Sequence, residues 1–194
     1  MKKGLWKIIF AILFLLPVCA NATTIDFYND GTITDGNDFY WVNVWDNATV
    51  DMTGGRVSNF YTYQTSTVNF SDGNVSSFHI EDTSHVNVSG GFINQGLNVY
   101  DSGVANLTGG QIGQIGQIYD AYIAAFESAI VNVYGYGFSY TGVFLNGYWA
   151  DETPFTIWLR GPGTASHVVL HEIPEPLSIL LFGFSGLLIV KQKY

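Results

Sequence analysis

Cysteine is almost absent from this 194-residue chain; the single one, Cys19, lies in its apolar first segment. No disulfide can staple the body, and thiolate metal centres and cysteine nucleophiles are excluded there. Basic residues are nearly as scarce. Between Thr23 and Glu172 only Arg56 and Arg160 are basic, against 15 Asp and Glu, a balance of 2 − 15 = −13. Nucleic acid does not suit such a surface, because neutralising phosphate takes clusters of Lys and Arg. Divalent cations, neutral sugars and basic polymers do. Long apolar runs are missing as well: Ile8–Leu16 has nine apolar residues and Leu177–Val190 fourteen without a charge, both short of the roughly 20 that cross a bilayer.

What the chain has instead is a repeat. VDMTGGRV (Val50–Val57), VNFSDGNV (Val68–Val75), VNVSGGFI (Val86–Ile93) and ANLTGGQI (Ala105–Ile112) align without gaps, starting at 50, 68, 86 and 105, hence 18, 18 and 19 residues apart. IDFYNDGTI (Ile25–Ile33) and VNVYGYGF (Val131–Phe138) are looser relatives. A second phrase shares the period: VNVWDNATV (Val42–Val50), FYTYQTSTV (Phe60–Val68), FHIEDTSHV (Phe78–Val86), LNVYDSGVA (Leu97–Ala105) and IAAFESAIV (Ile123–Val131). Each period thus carries two short strands joined by small polar residues, the pattern of one solenoid turn.

Strand alternation assigns faces. Inward columns are predicted through Val50, Val68, Val86, Ala105 and Val131; through Met52, Phe70, Val88, Leu107 and Val133; through Val57, Val75, Ile93, Ile112 and Phe138; and through Val42, Phe60, Phe78, Leu97 and Ile123. No coil buries such a face alone, so neighbours must stack about 4.8 Å apart. The Gly-Gly pair marks a corner that needs positive φ or a backbone free of Cβ crowding. The fold expected is an all-β, single-stranded β-solenoid, a right-handed β-helix with 18–19-residue coils over 23–138. A left-handed solenoid fits an 18-residue turn but lacks its strict hexapeptide spacing. Thr24–Asp46 reads as a first coil with DGTITDGNDF (Asp30–Phe39) inserted, and Gly110–Tyr122 as a second insertion. Residues 139–173 read as alternating strands forming a C-terminal β cap over the open solenoid end.

Both ends carry addressing patterns. Residues 1–22 combine Lys2, Lys3 and Lys7 with an apolar run and Ala20-Asn21-Ala22, the layout of a secretory signal peptide cut after Ala22. At the other end Pro174-Glu175-Pro176 precedes Leu177–Val190 and then Lys191-Gln192-Lys193-Tyr194. This tail, residues 174–194, resembles the PEP-CTERM sorting signal of Gram-negative bacteria. The resemblance implies that an exosortase recognises the tail in the inner membrane, held there transiently by a short hydrophobic helix over 177–190, and cuts near Pro174, Glu175 and Pro176. The cell surface or extracellular matrix is then the destination. The expected layout is a polar body between two hydrophobic targeting helices.

Chemistry is sought on the outward columns. One runs Asp46, Gln64, Asp82, Asp101, Glu127, just past the second strand. It reads as an Asx-type corner capping backbone amides, with a calcium ladder at Asp82 and Asp101 as the alternative. Asp35 and Asp38, in the DGND turn, are a second calcium candidate or simply a polar turn. The next column, Trp45, Tyr63, Glu81, Tyr100, Phe126, with Tyr61 on the same face, suits stacking against sugar rings, Trp45, Tyr61, Tyr63 and Tyr100 being the candidate contacts. Strand propensity alone also favours such residues. Asn69, Asn87 and Asn106 lie in glycosylation sequons but fall out of the repeat, so they read first as a stacked asparagine column.

These features favour a structural or adhesive surface protein associated with exopolysaccharide or the outer-membrane surface, with no cofactor beyond possible calcium. Two alternatives remain: a polysaccharide lyase or glycoside hydrolase built on a β-helix, and a calcium-dependent glycan-binding module. A lyase needs a basic proton acceptor beside its acidic column, and neither Arg56, in a corner, nor Arg160, in the cap, supplies one.

Overall fold

The computed structural model describes residues 23–113 and 121–175. Its strands are β1 (Thr24–Phe27), β2 (Gly31–Ile33), β3 (Asp38–Val44), β4 (Thr49–Thr62), β5 (Thr67–Ile80), β6 (His85–Val88), β7 (Phe92–Val99), β8 (Val104–Leu107), β9 (Gln111–Ile112), β10 (Tyr122–Ala125), β11 (Ile130–Thr141), β12 (Phe144–Tyr148), β13 (Pro154–Leu159) and β14 (Val168–Glu172). A 3-10 helix, Thr164–His167, precedes β14. Apart from the β11–β12–β13 meander, the strands pile in parallel into three walls around an apolar interior, which makes this chain a β-solenoid.

The register is the one the repeat dictates. Along the first wall Val50 pairs with Val68, Val68 with Val86, Val86 with Ala105 and Ala105 with Val131. Val57, Val75, Ile93 and Ile112 align along the second, and Val42, Phe60, Phe78, Leu97 and Ile123 along the third. The side chains of Val50, Phe60, Val68, Phe78, Val86 and Leu97 are fully buried. Each such residue contributes about 1.5–3 kcal/mol relative to exposure, and Phe60 and Phe78 stack with ring centres 4.8 Å apart. At each corner between the first and second walls the second glycine-pair position takes left-handed φ, at Gly55 (78°), Gly73 (105°), Gly91 (73°) and Gly110 (84°), a region that costs a residue with Cβ but not glycine.

Two sequence expectations are corrected. Ile25 stacks on Val42 and Phe27 on Val44, so β1 belongs to the third wall. Gly31–Ile33 aligns with Val50–Met52 and opens the first wall. DGTITDGNDF is therefore not an insertion but the strand and corner of an ordinary coil. The apolar-x-apolar spacing of Ile25-Asp26-Phe27 is shared by both walls, and only backbone pairing distinguishes them. Phe138 also leaves its expected column. β11 runs on past the coil to Thr141 and turns back into β12, antiparallel, with Ser139 opposite Asn146. The Phe138 ring instead lies 6.2 Å from that of Phe155.

The cap is an antiparallel meander of β11, β12 and β13. It then rejoins the solenoid: Leu159 pairs with Ile123 on the third wall and Val168 with Val131 on the first. Trp149, 3% exposed, closes the core by packing on Phe155 and donating its indole N–H to the Gly110 carbonyl at 2.9 Å. The predicted terminal helices and most of the Gly110–Tyr122 insertion lie outside the described residues. Among the described residues no helix is long and apolar enough to cross a membrane.

Candidate functional site: the aromatic face and its ladders

Turns joining the third wall to the next coil close with the same bond each time: the N–H of Ala48, Ser66, Ser84, Gly103 and Ala129 donates to the carbonyl three residues back. The second residue past the strand is left-handed in every copy, with φ of 59° at Asp46 and Gln64, 56° at Asp82, 53° at Asp101 and 52° at Glu127. The side chains then cap the coil before. Gln64 Oε1 accepts the Asp46 N–H at 2.5 Å, Asp82 Oδ2 that of Gln64 at 2.8 Å, Asp101 Oδ2 that of Asp82 at 3.1 Å, and Glu127 Oε2 that of Asp101 at 3.2 Å. Turn chemistry accounts for the column: at a corner held at positive φ, a side-chain oxygen of Gln64, Asp82, Asp101 or Glu127 satisfies a backbone amide of the coil before.

The first wall carries a second ladder. Asn69 donates to Asp51 Oδ1 at 2.8 Å, Asn87 to Asn69 at 2.8 Å, Asn106 to Asn87 at 2.9 Å and Asn132 to Asn106 at 2.9 Å. His171 Nε2 closes it on Asn132 Oδ1 at 2.9 Å. An amide oxygen only accepts, so this last bond requires a proton on His171 Nε2. The three sequon asparagines are rungs of this ladder.

On the outer surface of the third wall lie the rings. Tyr28 stacks on Trp45 at 6.3 Å and Trp45 on Tyr63 at 4.1 Å, both with planes 11° apart. Trp41 stacks on Tyr61 at 5.4 Å, Tyr61 on His79 at 4.3 Å, His79 on Tyr100 at 6.3 Å, and Tyr100 on Phe126 at 5.1 Å. Tyr61 and Tyr63 are 6.0 Å apart and parallel within 6°. All four candidate glycan contacts therefore belong to one continuous face. Further along, the Arg160 guanidinium sits 4.4 Å above the Tyr122 ring, and Tyr122 meets Trp158 edge-on at 6.0 Å. A Cβ on Gly96 would lie 2.8 Å from Tyr122, so the glycine makes room for that ring.

Glu81 interrupts the lane between Tyr63 and Tyr100. Partial burial, and then the charges of Asp101, Asp82 and Glu127, raise its carboxyl above the ordinary range. Partial burial followed by the Glu81 charge raises the phenols of Tyr61, Tyr63 and Tyr100. Burial lowers the His79 imidazole, whose Nε2 lies 3.0 Å from Ser77 Oγ.

The structure separates the remaining candidates. Asp35 Oδ1 accepts the Gly55 N–H at 3.3 Å and occupies the space left by Gly54, while Asp38 is exposed at the start of β3. No three His, Cys, Asp or Glu among the described residues are grouped to hold a metal ion. Pro174 and Glu175 are exposed directly after Ile173, whose N–H donates to the Gly135 carbonyl at 2.8 Å; Pro176, Ala20 and Ala22 lie outside the described residues. Sequence reasoning missed Tyr28, Trp41 and His79 as members of the face. Tyr28 follows once Ile25 is placed under Val42, whereas Trp41 reaches Tyr61 diagonally and a column alignment does not reveal it. Compared with protein-family models, curated proteins and solved structures, the chain matches none.

Proposed function

We propose that this chain is an exported structural or adhesive component of the cell surface or extracellular matrix of a Gram-negative bacterium, a right-handed β-helix that holds polysaccharide on its aromatic face. The observation carrying the reading is the run of stacked rings from Tyr28 to Phe126 along one wall. Rings fixed on successive strands present apolar area with polar edges, and little side-chain freedom is lost when a sugar chain docks along them. A structural role, rather than catalysis, is supported by Gln64, Asp82, Asp101 and Glu127 each accepting a backbone N–H.

Export through the signal peptide and sorting by an exosortase rest on the sequence patterns at the two ends. Exposure of Pro174 and Glu175 just beyond the last strand leaves the peptide bonds there open to a protease. In affinity electrophoresis through polysaccharide gels, Tyr63→Ala and Tyr100→Ala should each lose retardation while melting close to the parent. Unchanged retardation in both variants refutes the aromatic platform. Intact mass of surface material should lack residues 1–22 and the Leu177–Tyr194 tail; a retained tail refutes sorting.

A further inference from the structure

The acidic interruption of the aromatic lane sets the class of glycan. Glu81 occupies the rung where Tyr63 and Tyr100 stand on the neighbouring coils: the Tyr63 N–H donates to Val44, that of Glu81 to Thr62 and that of Tyr100 to Ile80. Asp82, Asp101 and Glu127 beside it each hold a backbone N–H. Glu81 differs in being a partly buried carboxylate flanked by phenol rings, on a body with a balance of 2 − 15 = −13 between Thr23 and Glu172. The two arginines of that body are elsewhere: Arg160 lies over Tyr122, and Arg56 pairs with Asn74 on the second wall.

A partly desolvated anion between electron-rich ring faces is complementary to an ammonium group, which gains from the carboxylate and from the rings together. The proximity is registered electrostatically, since the Glu81 charge raises Tyr61, Tyr63 and Tyr100 alike. We propose that the Tyr63–Glu81–Tyr100 segment is a subsite for a positively charged amino sugar within a polysaccharide chain, its ring stacked on tyrosine and its ammonium on Glu81. The inference rests on the aromatic-platform reading above and narrows its ligand to a de-N-acetylated amino-sugar polymer.

The test is calorimetric titration of the protein at physiological salt with glucosamine oligomers of equal length, one set N-acetylated and the other N-trimethylated so that its charge is permanent. The charged set should bind about tenfold more tightly. Glu81→Gln should bring that ratio close to one, and Glu172→Gln, which removes the same charge from the far end of the chain, should leave it intact. No preference in the parent, a preference that survives Glu81→Gln, or equal binding of an oligolysine of matched charge overturns the amino-sugar subsite while leaving the platform standing. Binding of neither oligomer overturns the amino-sugar subsite, and the platform falls with it only if Tyr63→Ala and Tyr100→Ala also leave retardation in polysaccharide gels unchanged.

Discussion

Replacing Asn87 by Asp tests the polarity of the asparagine ladder. In the parent Asn87 accepts from Asn106 at 2.9 Å and donates to Asn69 at 2.8 Å. A carboxylate keeps the first bond and loses the second, placing two acceptor oxygens face to face on a half-buried wall. The lost amide bond and the unfavourable contact together amount to about 1–3 kcal/mol. For a chain of this size that is a melting shift of about 2–12 °C. Asp51→Asn is the control, because Asp51 only accepts, from Asn69 at 2.8 Å, and an amide oxygen does the same, so its shift should stay within about 0.5 kcal/mol. Circular dichroism melts of both variants at neutral pH read the difference. Acidification that protonates the new carboxyl of Asn87→Asp returns a donor, and its deficit should shrink. Equal melting of the two variants, or a deficit that grows on acidification, refutes the directional ladder.

Val86→Asp buries a carboxylate at a fully buried position and should cost several kcal/mol, enough to abolish the cooperative melt. Asp82→Asn should melt like the parent, since Asn tolerates left-handed φ and still accepts the Gln64 N–H, whereas Asp82→Ala should lose about 1–2 kcal/mol; repeating both melts with calcium and with chelator distinguishes a capping side chain from a cation ligand. Burial lowers the His79 imidazole in the fold, so the unfolded chain takes up its proton first, and stability present above the unfolded value of about 6.5 is lost as pH falls through it. His79→Phe keeps a ring against Tyr61 and should flatten the melting-versus-pH curve in that window; an unchanged curve refutes the assignment.

The repeat made the solenoid legible because a stacked fold reuses one environment: Val50, Val68, Val86, Ala105 and Val131 solve the same packing problem, and the sequence writes the solution out each time. The corner residues were legible for the same reason, since Asp46, Gln64, Asp82, Asp101 and Glu127 all sit at positive φ, and the last four each meet an amide that needs an acceptor. Where a phrase occurs once, the reading failed. Ile25-Asp26-Phe27 carries a spacing common to two walls, so its place had to come from the pairing of Ile25 with Val42. Phe138 matched a column by type, yet the continuation of β11 into a hairpin took it to Phe155.

By itself, then, the sequence determined the coil period, the inward columns and the two ladders, because these are periodic and local in the stacking direction. The aligned phrase also sets His79 beneath Tyr61; only the tertiary structure decided which wall β1 joins, how the cap returns to the stack through Leu159 and Val168, and that Trp41 and Tyr28 complete the aromatic face. Those contacts are diagonal or made once, and a one-dimensional alignment holds no record of distances between unlike positions.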